Sequence, residues 1–163
     1  MPTNPLILRI GCWNVNSLRV RWDLVASWLV SERIDMAMLQ ETKLTDDVFP
    51  TKAFQELGYH TASWGQKSYN GVALLSRWPI SDVQRCDLNG TGSARYIQGM
   101  THQVRLASVY VPQGQDFDQP AFAEKLRFLQ GLGQHIQSCV HDPIPTLIGG
   151  DYNIAPGDED VWD

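Results

Sequence analysis

Cysteine is scarce in this chain, and its scarcity sets the first limits. Cys12, Cys86 and Cys139 are odd in number and widely spaced, forming neither a C-x-x-C pair nor a disulfide framework. That usage favours a reducing cytoplasm. Long apolar runs are missing too, so no segment is expected to span a membrane. Leu6-Ile7-Leu8 is cut short by Arg9 and Gly11 with no small-residue cleavage pattern after it, and no signal peptide is expected. There is no P-loop, no Ser-His-Asp order and no zinc-ligand spacing. His60, His102, His135 and His141 have no carboxylate at a suggestive spacing, so they read as structural. Neither an internal repeat nor a low-complexity linker is present.

What remains is an ordinary globular composition. At 163 residues, 43% hydrophobic and 19% charged, the chain is expected to form one domain with a core of its own. The net charge of −5 argues at first against a nucleic-acid partner. Four of the eighteen acids, however, are Asp158, Glu159, Asp160 and Asp163, which leaves the preceding chain near neutral. Local fields steer a polyanion more than totals do, so charge alone leaves the partner open.

Apolar patterning alternates between two periods. Strands are expected at Leu6–Trp13, Asp35–Gln40, Tyr59–Trp64, Gly71–Arg77 and Ile80–Arg85, with a hairpin over Arg95–Met100 and Val104–Val111 and a last strand at Thr146–Gly149. The turn pair Asn70-Gly71 closes the loop before Gly71–Arg77. A first helix is expected after Ser17, with Leu18, Trp22, Val25 and Leu29 as one apolar stripe. A second covers Pro50 to Leu57 and is stopped by Gly58. A third runs from about Ala121 to Val140, with Phe122, Leu126 and Leu129 on one face and a middle weakened by Gly131 and Gly133. Such mixing of hairpins and helices predicts an α/β layered fold with mixed sheets.

Polar residues sit at the tips of these strands. Asn14, Glu41, Tyr110 and Asp151 each follow an apolar run, and Asn153 lies two residues beyond Asp151. In open α/β sheets ligands gather beyond the carboxyl ends of strands, so the four groups converge if their strands run the same way. If the last strand stays extended, alternation puts Asp151 and Asn153 on one side. Singly, each has an ordinary reading: a solvated charge, a half-buried tyrosine, a turn asparagine.

The ordered strings say more. Trp13-Asn14-Val15-Asn16-Ser17-Leu18-Arg19, Gln40-Glu41-Thr42-Lys43, Gly65–Ser76, Tyr110-Val111-Pro112-Gln113-Gly114 and Gly150-Asp151-Tyr152-Asn153 occur in that sequence. Together they closely resemble the exonuclease III family of DNA repair nucleases, within the endonuclease/exonuclease/phosphatase superfamily, from Leu8 to Asp163. The resemblance implies a DNase I-like layered α/β sandwich and metal-dependent cleavage of phosphodiesters at abasic sites and 3′ ends, with Mg²⁺ or Mn²⁺. It assigns Glu41 to the metal, with Asn14 supporting metal and phosphate. Asp151 becomes the group that activates water, Asn153 its neighbour, and Tyr110 the tyrosine beside the scissile phosphate. Arg19, Lys67, Tyr69, Asn70 and Arg95 fall in segments that face DNA.

Its late histidine, paired with an aspartate, has no match here. The resemblance therefore implies that residues 1–163 are the N-terminal portion of a single domain whose C-terminal part is missing, inactive or nearly so by itself and poorly soluble, and a monomer when full length. Inositol polyphosphate phosphatases, sphingomyelinases, deadenylases and a non-catalytic DNA-binding relative are the alternatives.

Overall fold

A computed structural model describes residues 7–114 and 117–161. Leu6, at the head of the expected first strand, and Asp163, in the acidic cluster, lie outside the described residues. Among the described residues, eight strands form two four-stranded sheets. In the first, β1 (Ile10–Asn14), β2 (Met36–Gln40), β4 (Val72–Ser76) and β3 (His60–Trp64) lie side by side in that order. The second runs β5 (Ser81–Arg85), β6 (Tyr96–Thr101), β7 (Val104–Tyr110), β8 (Thr146–Asp151). Only β1–β2 and β7–β8 pair in parallel; the remaining neighbours are antiparallel. The mixed sheets expected from the sequence are therefore present.

Strand alternation builds four layers. Met36, Met38, Val72 and Leu74 meet Ile97, Leu106 and Tyr110 between the sheets. Ala37, Leu39, Ala73 and Leu75 point the other way, against α1 (Trp22–Ser31) and α2 (Thr51–Glu56), through Val25, Leu29 and Phe54. On the far side Tyr96, Ala107 and Val109 receive Phe128 and Leu132 of α3 (Pro120–Cys139). Both faces of β2, β4 and most of β7 are covered, which is why they read as unbroken apolar runs.

Three boundaries differ from expectation, each for a local reason. β1 starts at Ile10 because the Arg9 N–H is taken at 2.8 Å by the Asp35 carboxylate. Ser17 does not cap the first helix: its φ is 89°, and its N–H and that of Leu18 donate to the Glu41 and Thr42 carbonyls at 2.7 and 3.1 Å. This ties the segment after β1 to the loop after β2, and α1 begins only at Trp22. In α3 the buried stripe is Phe128 and Leu132, whereas Leu126 is half exposed and Phe122 meets Phe117 edge to face. Gly131 belongs to that helix because the Leu88 carbonyl crosses where its Cβ would be.

Candidate active site

The two parallel pairs point their carboxyl ends at the same rim. Asn14 and the residue after Gln40 come from one sheet, and Tyr110 and Asp151 from the other, where they sit directly opposite each other in register. Gln40, fully buried beneath them, donates to the Ser108 hydroxyl at 2.9 Å, and Ser108 donates on to the Leu39 carbonyl at 3.0 Å. That bridge fixes one sheet against the other just under the site. Buried polar groups paired in this way rigidify their surroundings.

Asn14 is the hub. Its amide nitrogen donates to Glu41 Oε1 and to Asp151 Oδ2, both at 2.7 Å, while its amide oxygen accepts the Asn16 N–H at 3.0 Å. The expectation that Asn14 also serves the metal stands beside this geometry, in which its amide faces both carboxylates. Its oxygen serves the backbone and its nitrogen holds two carboxylates, so Asn14 positions the acids.

Glu41 takes a second partner. Lys43 Nζ lies 2.9 Å from its Oε2 and donates to Asn16 Oδ1 at 2.5 Å. Partial burial pushes the Glu41 carboxyl up, but hydrogen bonds from Asn14, Lys43 and Tyr110 and the Lys43 charge outweigh it, leaving the pKa below its ordinary value. The Tyr110 phenol is pushed up to about 12, by burial first and then by the hydrogen bond to Glu41 and that group's charge. The Arg95 guanidinium lies over the Tyr110 ring, 4.7 Å from its centroid, and donates to the Tyr110 carbonyl at 3.2 Å.

Asp151 is held at both oxygens, because Oδ1 accepts the Asn153 N–H at 2.9 Å. Asn153 itself departs from expectation. Its φ of 49° ends the extended run, and its side-chain amide donates to the Val111 carbonyl at 2.8 Å. It thus orients Asp151 through its main chain, and its side chain braces the loop after β7. Lys125 of α3 caps the arrangement by donating to the Asn153 carbonyl at 2.6 Å.

An open cleft of about 550 Å³ lies above these groups, walled by Glu41, Lys43, Tyr69, Asn70, Arg95 and Tyr110 among others. Tyr69 is 71% exposed, and Asn70 is fixed by a 2.9 Å bond to Gln66 and by its carbonyl accepting the Lys43 N–H. Lys67 and Arg19 border an adjoining depression, so the structure gathers Arg95, Asn70 and Tyr69 at the acids and leaves the other two farther along. Lys43 and Asn16 escape the strand-tip argument. Their only signal is position, two residues after Glu41 and Asn14, and the φ values of 54° at Lys43 and 41° at Asn16 hide it by breaking alternation.

Among the described residues, no three His, Cys, Asp or Glu side chains cluster as a metal cage. The donor set of one carboxylate at the cleft wall, Glu41, with open space above it fits a hard cation that keeps most of its waters, as Mg²⁺ does. It does not fit zinc.

A layered α/β sandwich with carboxylates and amides gathered at the carboxyl rim of two parallel strand pairs is an architecture of phosphoesterases. The sequence profile of the endonuclease/exonuclease/phosphatase family matches residues 11–163, and the chain belongs to that family. Within it, the chain is similar to exodeoxyribonuclease III of Haemophilus influenzae, at 31% identity over 156 residues, covering 91% of this chain and 58% of the relative. Among solved structures it is similar to the 3′ phosphatase NExo from Neisseria bound to a product DNA hairpin, with a TM-score of 0.91 and 36% identity, across 96% of this chain and 62% of that one. An AP endonuclease from Archaeoglobus fulgidus gives a TM-score of 0.87 and 32% identity, across 96% and 62%. The chain thus spans roughly three fifths of the length of these relatives. No helix among the described residues is long and apolar enough to cross a membrane.

Proposed function

We propose that this chain carries the metal-binding and water-orienting part of a Mg²⁺- or Mn²⁺-dependent DNA phosphodiesterase of the exonuclease III type, acting on abasic sites and 3′ ends of double-stranded DNA. The observation that carries the reading is Asn14 holding Glu41 and Asp151 together at 2.7 Å each, from strands of different sheets. Relatives that act on abasic or 3′-blocked DNA support it further.

A phosphodiester is anionic and repels a nucleophile, so the site must neutralise charge and orient water. Glu41 would hold the cation, which when bound polarises the phosphoryl oxygen and stabilises the leaving oxyanion. Asp151, with Asn14 on Oδ2 and the Asn153 N–H on Oδ1, keeps further lone pairs free to accept the proton of an attacking water. Tyr110 remains protonated and donates to a phosphate oxygen. Lys43 and Arg95 add positive charge, and Arg19, Lys67, Tyr69 and Asn70 line the approach of the duplex. The protein acts as a monomer, and its three free cysteines support a cytoplasmic setting.

Residues 1–163 by themselves turn over slowly or not at all in this reading. None of His60, His102, His135 and His141 lines the cleft, and His102 stacks on Trp78 while His135 bonds Gln98. The test is to offer the purified chain an abasic duplex, a 3′-phosphate hairpin, inositol phosphate and poly(A), each with Mg²⁺. Binding confined to the two DNA substrates, with little cleavage, is expected. A preference for inositol phosphate or poly(A) overturns the substrate, and turnover equal to that of a full-length relative overturns the inactivity.

A further inference from the structure

The cleft over Glu41 is one end of a longer trough. Lys43 lines both this cleft and the adjoining depression, which also has Ser17, Thr45, Lys67 and Ser68 on its walls. Arg19, Leu44 and Val48 in turn line both that depression and a third hollow, floored by Leu18, Trp22 and Pro50. The character changes along the way. The middle is cationic, with Lys43, Lys67 and Arg19; the far hollow is mostly apolar.

We infer that the far hollow is a nucleobase subsite, which takes one unpaired base of the strand whose phosphates lie along Lys43, Lys67 and Arg19. This rests on the nuclease reading above and extends it. The occupant follows from the order of the chemistry: acids for the reacting phosphate, three cations for a polyanion, then an indole and aliphatic walls for an uncharged aromatic ring. A strand of nucleic acid presents charge and apolar ring in that repeating relation, and proteins that hold unpaired strands combine a cationic groove with aromatic platforms. An apolar peptide has nothing to place against the cations.

Of the trough's three cations Lys43 is paired with Glu41 at 2.9 Å, while Lys67 and Arg19 have no acid among the residues lining the depression and the far hollow. Asp46 is engaged with Arg85 at 3.1 Å and with the Ser63 hydroxyl at 2.7 Å, while Asp47 is exposed to solvent. Trp22 is held edge-on by Phe54 at 4.9 Å, so its ring is fixed before any ligand arrives. Val48 is 58% exposed at the rim, an apolar side chain in water that a base would cover.

The experiment compares three DNA hairpins, blunt, with a short 3′ tail and with a short 5′ tail, binding to the purified chain by fluorescence anisotropy. A 2-aminopurine is moved along the tail to report stacking. One tailed hairpin is expected to bind about tenfold more tightly than the blunt one, with emission quenched at a single tail position. Val48→Gln removes an apolar wall without changing charge; it should abolish that gain and the quenching, while blunt binding stays. Val48→Leu should retain both. Equal affinity for all three hairpins, or a gain that Val48→Gln keeps, overturns the subsite. So does a Val48→Gln change in oligomeric state with no change in binding, which would assign the hollow to a second copy. Failure to bind any hairpin would instead overturn the nuclease reading beneath it.

Discussion

The Lys43 ammonium sits 2.9 Å from the Glu41 carboxylate, on the oxygen that Asn14 leaves free. A side chain of the protein thus neutralises the group that would hold the cation, and it does so from two residues away. Both partners are largely buried, at 26% and 15% side-chain exposure, so the pair is poorly screened.

Glu41 has a folded-state pKa below its ordinary 4.5, so it adds stability that is complete above that value and lost as pH falls through the lower, folded one. Lys43→Gln removes part of that depression. Urea unfolding across pH should show the variant less stable than the parent above 4.5, with the gap closing on acidification. A gap constant at every pH would mean that Lys43 acts through packing alone.

Asn14→Asp keeps the shape but places a third carboxylate where an amide now donates to two. Two charge-assisted hydrogen bonds become repulsions, at a cost of about 3 kcal/mol or more. The melting temperature in chelated buffer should fall, and Mg²⁺ should restore more of it than it adds to the parent. Equal Mg²⁺ gains in both proteins would separate Asn14 from the cation site.

Tyr110→Phe deletes a phenol pushed up to about 12, a donor that stays protonated at neutral and mildly alkaline pH. In any form of the protein that incises abasic DNA, the rate should drop by roughly 100-fold or more, with the shape of the pH profile unchanged. Loss of an alkaline limb in the variant would mean instead that Tyr110 works by ionising.

The adjacent glycines of β8 should behave differently. A methyl on Gly149 would meet the end of a flexible side chain, Met38 Cε at 2.5 Å, whereas one on Gly150 would collide with the Val109 carbonyl oxygen, which cannot rotate away. Gly149→Ala should cost about 1 kcal/mol and Gly150→Ala more than about 3. Denaturant midpoints compare them, and equal losses would show that β8 shifts as a unit.

Ser108→Ala leaves the buried Gln40 amide without its acceptor and should cost about 1–3 kcal/mol. Adding Gln40→Leu should restore part of the loss, since the orphaned group goes with it. A double variant as unstable as the sum of the singles would argue that each residue packs independently.

The strand tips are legible in the sequence because two covered faces impose continuous apolar runs, and the first polar residue after each run is conspicuous. Glu41 and Asp151 stand out in this way. Strand direction is not legible: nothing local distinguishes the parallel β1–β2 pair from the antiparallel β2–β4 pair, and convergence of the site depends on it. Left-handed backbone at Asn16, Glu41, Lys43 and Asn153 is equally hidden, since none of these is glycine. It is this backbone that brings Lys43 onto Glu41 and turns the Asn153 side chain away from Asp151.

Asn14 and Asp151 are 137 residues apart along the chain yet share one hydrogen bond. During synthesis the first is made early and the second late, so the bond waits until almost all of the described chain has left the ribosome. Loop closure of that length is slow and comes after the local hairpins. Half-made protein therefore has Asn14 and Glu41 but not Asp151, and the Asn14 amide is one partner short.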